Sequence, residues 1–220
     1  MRHARMCYDA VIFDNDGVLT RPTATTVHRE AVRAAFSEFG VEPTTEGVDS
    51  VIHGSFARVQ RICEIHDVDY EAFWPRREAN AAAAQAAAIE RGEKTLYDDV
   101  SVLSDLDRTM GVVSNNQHET VETILDAFEL RDQFEVAYGR SPTVEGYRNR
   151  KPSPHYLERA IDELDAESVL YVGDSNVDVL AATRAGADSA FIRRPHRDDY
   201  QLAANPTYEV ESLDDVVAIC

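Results

Sequence analysis

Asp14-Asn15-Asp16-Gly17 directly follows a short apolar stretch, residues 8–13, and sets two carboxylates one residue apart at the end of a candidate buried strand. The carboxyl ends of strands are where open α/β sheets bind their ligands. With one residue between them, the two acids need not share a role. Asp14 can point into a crevice as a nucleophile while Asp16 reaches a leaving group from the turn. Gly17 permits a turn that residues with a Cβ resist. Asp and Gly also crowd ordinary turns, so the motif alone leaves that reading open. A calcium loop is excluded, because Val18-Leu19 replace the polar ligand positions and no Glu stands at the twelfth position.

Three later clusters share this placement. Ser114-Asn115 supplies a hydroxyl, an amide and main-chain N–H groups that could cradle a phosphate at the start of a helix; Ser and Asn are equally the preferred helix N-caps. Lys151-Pro152 follows a loop rich in Gly, Pro and Arg. A mobile ammonium there suits a phosphoryl group whose charge changes during reaction, and an exposed surface lysine is the alternative. Gly173-Asp174-Ser175-Asn176-Val177-Asp178 forms a second acidic turn. Oxygen ligands from Asp14, the Asp16 main-chain carbonyl and Asp174 suit Mg²⁺, with Asp178 ligating through water or orienting its neighbours. Helix capping by Asp174 or Ser175 is the competing reading, but it does not account for four polar strand ends that converge.

The elements that must position these residues follow from periodicity. Residues 8–13, 109–113, 168–172 and 188–192 read as buried parallel strands, with 134–137 a weaker fifth. Helical patterns over 119–128, 154–164 and 177–185 lie between them. The alternation predicts an α/β fold, a doubly wound parallel sheet. Residues 21–91 break it with helical patterns at 25–39, 55–66 and 70–90, the last including an Ala-rich run at 81–88 that favours helix. The expected organisation is a Rossmann-like core formed by 1–20 and 92–220 with an α-helical cap domain, 21–91, inserted in it.

Composition narrows the partners. Forty acidic residues against 22 basic ones give a formal net charge of −18, and Lys94 and Lys151 are the only lysines. Such a surface repels nucleic acid and anionic lipid. Dense carboxylates with little lysine suit a cytoplasm of high salt, where screening weakens self-repulsion. Cys7, Cys63 and Cys220 lack CxxC or zinc spacing and read as reduced thiols. Asp9, Asp14 and Asp16 interrupt any apolar leader after Arg2 and Arg5, and no long uncharged apolar run follows. A soluble cytoplasmic protein is expected.

Together the four clusters resemble the haloacid dehalogenase-like hydrolase superfamily, in its branch of phosphatases with a helical cap between the first and second motifs. The resemblance is carried by Phe13-Asp14-Asn15-Asp16-Gly17-Val18-Leu19, by Lys151-Pro152-Ser153-Pro154, and by Tyr171-Val172-Gly173-Asp174-Ser175 with Asp178 and Ala185-Gly186. It implies that Asp14 forms an aspartyl-phosphate and that Asp16 is the general acid and base. It further implies that Ser114, Asn115 and Lys151 bind phosphate, and that Asp14, Asp16, Asp174 and Asp178 serve Mg²⁺. The implied substrate is a small phosphorylated metabolite, phosphoglycolate-like or a sugar phosphate.

Val18 stands where many family phosphatases carry Thr, and this form also occurs among β-phosphoglucomutase-like members, so a phosphosugar mutase is the alternative. His28 resembles the cap-hinge His of that branch only with a two-residue insertion. His53-Gly54-Ser55 and Arg58 fall where capped relatives carry a specificity loop, and Arg58 could pair with a substrate carboxylate. A non-catalytic phospho-ligand-binding protein of the same fold would not need the second carboxylate at Asp16.

Overall fold

The computed structural model describes residues 8–220; Arg2, Arg5 and Cys7 lie outside the described residues. Six strands form one parallel sheet: β1 (Ala10–Phe13), β2 (Thr109–Gln117), β3 (Val136–Arg140), β4 (Val169–Gly173), β5 (Asp188–Ile192) and β6 (Tyr208–Val210). Their order is β3-β2-β1-β4-β5-β6. The chain therefore builds outward from β1 to one edge, then returns to β1's other side and builds toward the opposite edge. The reversal lies between β1 and β4, where Phe13 is in register with Val172. That is the point at which doubly wound sheets open a crevice.

Short strands of Val, Ile, Leu and Phe suffice because both faces are covered. Val11 and Phe13 of β1, with Leu170 and Val172 of β4, pack against Val121 and Leu125 of α5 (His118–Ala127) and against Leu213 and Val216 of α9 (Leu213–Ile219). The alternate residues Ala10, Ile12, Val169 and Tyr171 face Leu157 and Ala160 of α7 (His155–Leu164) and Ala182 of α8 (Asn176–Ala185). The period-two alternation of Cβ atoms thus divides one sheet between two apolar layers.

The second compact unit is helical: α1 (Thr25–Ser37), α2 (Thr45–His53), α3 (Phe56–Ile65), α4 (Tyr70–Glu90) and the short α6 (Val144–Arg148). Its own core joins Phe36, Val48, Val51, Val59, Cys63, Phe73, Trp74 and Tyr147. The units divide as residues 8–22, 95–140 and 149–220 for the sheet, and 23–94 with 141–148 for the helices. The second helical segment departs from the boundaries expected above, which place all of 92–220 in the core. Tyr147 explains the difference. Its ring packs edge-on to Trp74 at 5.1 Å and its hydroxyl donates to the Gly54 carbonyl at 2.9 Å.

Three further expectations shift. The weak fifth strand runs over 136–140, an additional edge strand, β6, pairs with β5, and α2 precedes the helix read at 55–66. Cys63 and Cys220 form no disulfide among the described residues, and burial pushes Cys63 up to about 11. Among the described residues no helix is long and apolar enough to cross a membrane.

Gly173 closes β4 against α8 so tightly that an added Cβ would lie 2.2 Å from the Asp178 Cβ. Gly173→Ala must therefore push α8 off the sheet. It is expected to cost about 1–3 kcal/mol, read as a lower urea midpoint at unchanged slope in molar KCl.

Candidate active site

β1 ends at Phe13, and the chain turns at once. Asp14 still belongs to the ladder, its N–H donating to the Val172 carbonyl at 2.9 Å. The Asn15 carbonyl then accepts from the N–H groups of Leu19 at 2.9 Å and Thr20 at 3.0 Å, closing the turn. Gly17 has φ of +84°, and a Cβ there would meet Asp174 Oδ2 at 2.2 Å. Both conformation and space demand glycine.

Lys151 is the centre of this crevice. Its side chain is buried and its Nζ lies 2.9 Å from Asp14 Oδ1 and 2.7 Å from Asp178 Oδ1. Nζ also donates to the Tyr171 hydroxyl at 2.6 Å and to the Val113 carbonyl at 3.1 Å. Burial alone would lower its pKa, but Asp14 and Asp178 reverse that and hold the ammonium well above its usual range. The surface-lysine alternative is overturned.

Asp14 has the opposite problem. Burial pushes its carboxyl up to about 8; Lys151 pulls it back, while Asp178 and Asp174 add to the rise. Among the described residues both of its side-chain donors, Lys151 and the Asn15 N–H, address Oδ1. Oδ2 takes neither of these donors.

Asp16 is half-buried, and its Oδ2 accepts from the side-chain amides of Asn116 and Asn15. Ser114 is buried, with Oγ accepting from the Asn116 N–H at 3.2 Å. Neither Ser114 nor Asn115 caps a helix, because β2 runs through them to Gln117, which is the residue before α5. That corrects the N-cap reading. Asn115 instead reaches the chain at Lys151. Its Oδ1 accepts from the Lys151 N–H at 2.8 Å and its Nδ2 donates to the Lys151 carbonyl at 3.3 Å. Its side-chain amide thus clamps the lysine's main chain.

Asp174 and Asp178 are both buried. Asp178 Oδ2 accepts from the Ser175 hydroxyl. Asp174 Oδ2 takes His196 Nε2 at 2.7 Å and Arg197 Nε at 2.9 Å. Burial raises the Asp174 carboxyl, but hydrogen bonds from His196 and Arg197 outweigh it and leave it below the usual range.

One carboxylate oxygen each from Asp14, Asp174 and Asp178 lie within 4.8 Å of one another. Three buried acids meet the Lys151 ammonium and the Arg197 guanidinium there, and burial, with the neighbouring Asp178 and Asp174 carboxylates adding to it, raises Asp14. An all-oxygen donor set with excess negative charge fits a hard divalent cation such as Mg²⁺. The Asp16 carboxylate stands outside the cluster.

His53 and Arg58 are exposed at the α2–α3 junction, while Gly54 is buried and could not take a Cβ, which would fall 2.0 Å from the Ser50 carbonyl oxygen. His28 is half-buried within α1. Sequence reasoning missed Asn116, the role of Tyr171, and the pair His196 and Arg197. A signal for the pair existed: Arg193-Arg194-Pro195-His196-Arg197 is a dense basic run after a strand in a strongly acidic chain.

A family model described as haloacid dehalogenase-like hydrolase matches residues 8–186. The pyrophosphatase PpaX of Bacillus cereus strain B4264 is 29% identical over 129 residues, 57% of this chain and 58% of that protein. PpaX of Bacillus mycoides strain KBAB4 is 28% identical with the same coverage. The matched region thus spans under two thirds of these relatives. Among solved structures, CbbY from Rhodobacter sphaeroides in complex with phosphate superposes at a TM-score of 0.66 with 21% identity, covering 96% of each chain. A predicted phosphoglycolate phosphatase from Haemophilus somnus gives 0.67 with 19% identity over 96% of this chain and 97% of that one. At these identities the superpositions speak for the fold.

The raised Asp14 carries a sign that can be measured. With its pKa at about 8, the metal-free carboxyl is largely protonated near neutrality, and a cation bound there must displace the proton. Calorimetric titration with Mg²⁺ in buffers of different ionisation enthalpy is expected to show proton release at about pH 7 and none at about pH 10. Affinity should strengthen as pH rises toward 8 and then level off. Release that is independent of pH over this range would contradict the assignment.

Proposed function

The chain belongs to the haloacid dehalogenase-like hydrolase family, and on that premise we propose that it is a Mg²⁺-dependent phosphatase of small phosphorylated metabolites, working through an aspartyl-phosphate. The observation that carries the reading is the Asp14 carboxylate, one oxygen fixed by Lys151 and the Asn15 N–H, with a second acid, Asp16, two residues on.

Asp14 Oδ2 attacks phosphorus in line, forming the acyl-phosphate bond as the P–O bond to the alcohol breaks. Asp16 delivers its proton to the departing alkoxide, and the Asn116 and Asn15 amides hold the carboxylate that results. Asp16 then removes a proton from the water that attacks phosphorus, releasing inorganic phosphate and restoring Asp14. Lys151 and the Ser114 hydroxyl neutralise charge on the transferring oxygens, the stabilisation phosphoryl transfer mostly requires. Asp14, Asp174 and the Asp16 carbonyl would hold the metal, with Asp178 behind them. When bound, it supplies Lewis-acid stabilisation of the same oxygens.

His53 at the end of α2, Gly54 after it and Arg58 in the first turn of α3 are assigned to substrate discrimination. Phosphoglycolate and sugar phosphates lead the panel of substrates, and pyrophosphate joins it because the Bacillus relatives are pyrophosphatases. A phosphosugar mutase would use the same Asp14 chemistry with a sugar hydroxyl as acceptor, and Val18 in the first motif favours keeping it as the second reading.

Phosphate release from that panel, in molar KCl with Mg²⁺, decides between them. Asp14→Asn should abolish turnover, a loss on the order of 10⁴–10⁶-fold. Asp16→Asn should lower kcat about 10²–10⁴-fold. Isomer formation from a sugar phosphate that needs a bisphosphate activator, with little phosphate released, would replace the phosphatase with the mutase. Arg58→Ala should raise KM for an acidic phosphate ester with kcat little changed; an unchanged KM would remove Arg58 from recognition.

A further inference from the structure

The basic run after β5 lies outside the four motifs, yet three of its members reach toward the acidic turns. Arg194 is buried, pairs with Asp99 through two bonds of 2.7 and 2.9 Å, and donates to the Val18 carbonyl at 2.8 Å. Its guanidinium lies 4.0 Å from the centre of the Tyr97 ring. The Tyr97 hydroxyl meets His196 Nδ1 at 3.0 Å, and the opposite ring nitrogen meets Asp174 Oδ2 at 2.7 Å. Arg197 adds its Nε to the same oxygen at 2.9 Å while stacking over Tyr200. Tyr200 in turn accepts from the N–H and Nδ2 of Asn176, two residues beyond Asp174.

Two rigidly held donors thus converge on a single oxygen of Asp174. Whether His196 is neutral or charged, Nε2 can carry the hydrogen, because a tyrosine hydroxyl can either donate to Nδ1 or accept from it. The other oxygen, Oδ1, has no such donors among the described residues.

We propose that His196 and Arg197 are positioning residues for the metal ligand Asp174, taking Oδ2 so that Oδ1 alone is presented to the cation, with Tyr97 fixing the His196 ring. The proposal rests on the metal site put forward above and adds to it the residues that aim one ligand. A ligating carboxylate held from behind loses less freedom on binding, and removing such partners typically weakens metal affinity about 10–100-fold. Arg197 also brings a positive charge, which would repel the cation. The affinity change on removing Arg197 therefore reads orientation against repulsion directly.

The test is Mg²⁺ affinity of the metal-stripped protein, measured calorimetrically in molar KCl without substrate. His196→Ala and Arg197→Ala should each weaken binding at least about 10-fold, and Tyr97→Phe by less. His196→Gln, which can still donate to Oδ2, should recover part of the loss. His196 and Arg197 side chains are 26% and 29% exposed, so both variants should keep the metal-free melting temperature within a few degrees. Unchanged or tighter binding in both alanine variants would overturn the proposal, tighter binding meaning that the clamp competes with the ion. Asp174→Asn separates the clamp from the metal site it serves. Wild-type protein that binds no Mg²⁺ sensitive to Asp174→Asn would remove the metal site itself, and the clamp with it.

Discussion

A buried ammonium, Lys151, holds the carboxyl end of the sheet together where the strand order reverses. It sits between Asp14 at the end of β1 and Asp178 in the first turn of α8, within hydrogen-bonding distance of each. Removing one member of such a buried set leaves the rest uncompensated, at a cost of about 3–5 kcal/mol. The surrounding structure is arranged to prevent that. Asn115 fixes the lysine's main chain, Tyr171 and the Val113 carbonyl accept further hydrogen bonds from the ammonium, and Ser175 restrains Asp178. Fixed dipoles and charges of this kind stabilise developing charge without reorganising.

The sheet makes the arrangement possible. Its strand order reverses between β1 and β4, so the turns that follow them separate toward opposite layers and leave room between Asp14 and Asp174. Two glycines set how closely these turns approach. Gly17 lets Asp174 lie against the first turn, and Gly173 lets α8 bring Asp178 in under Lys151. A basic segment after β5 then meets Asp174, so cations from two separate parts of the chain hold this acidic centre.

Much of this was legible in the residues. Buried parallel strands read as continuous apolar runs because both faces are covered, so four of the six strands and their polar ends stood out. β6 did not, since Tyr208–Val210 is a three-residue edge strand with an exposed Glu209, too short to carry a pattern. α2 was hidden by Gly47 and two β-branched valines, and it holds because Val48 and Val51 pack into the helical core and Thr44 caps its start. The placement of residues 141–148 depends on contacts distant in sequence, from Tyr147 to Trp74 and Gly54, which no local window reveals.

Within the site, acids at strand ends were readable because residue type and position agree. Asn115 reads as a phosphate ligand because an amide at a strand end suits that role, while its bonds to the Lys151 main chain, 36 residues on, leave no local signal. His196 and Arg197 were missed because partners 22 and 23 residues away leave no periodic trace.

The central claim is that Asp14 attacks phosphorus, and the most direct measurement is to trap the acyl-phosphate. Protein mixed with a turned-over ester in Mg²⁺ and quenched into borohydride should carry the reduced side chain on the peptide containing Asp14, located by tandem mass spectrometry. The account predicts that mark at Asp14, dependent on substrate and absent from Asp14→Asn. A mark on another residue, or turnover with none, would contradict it.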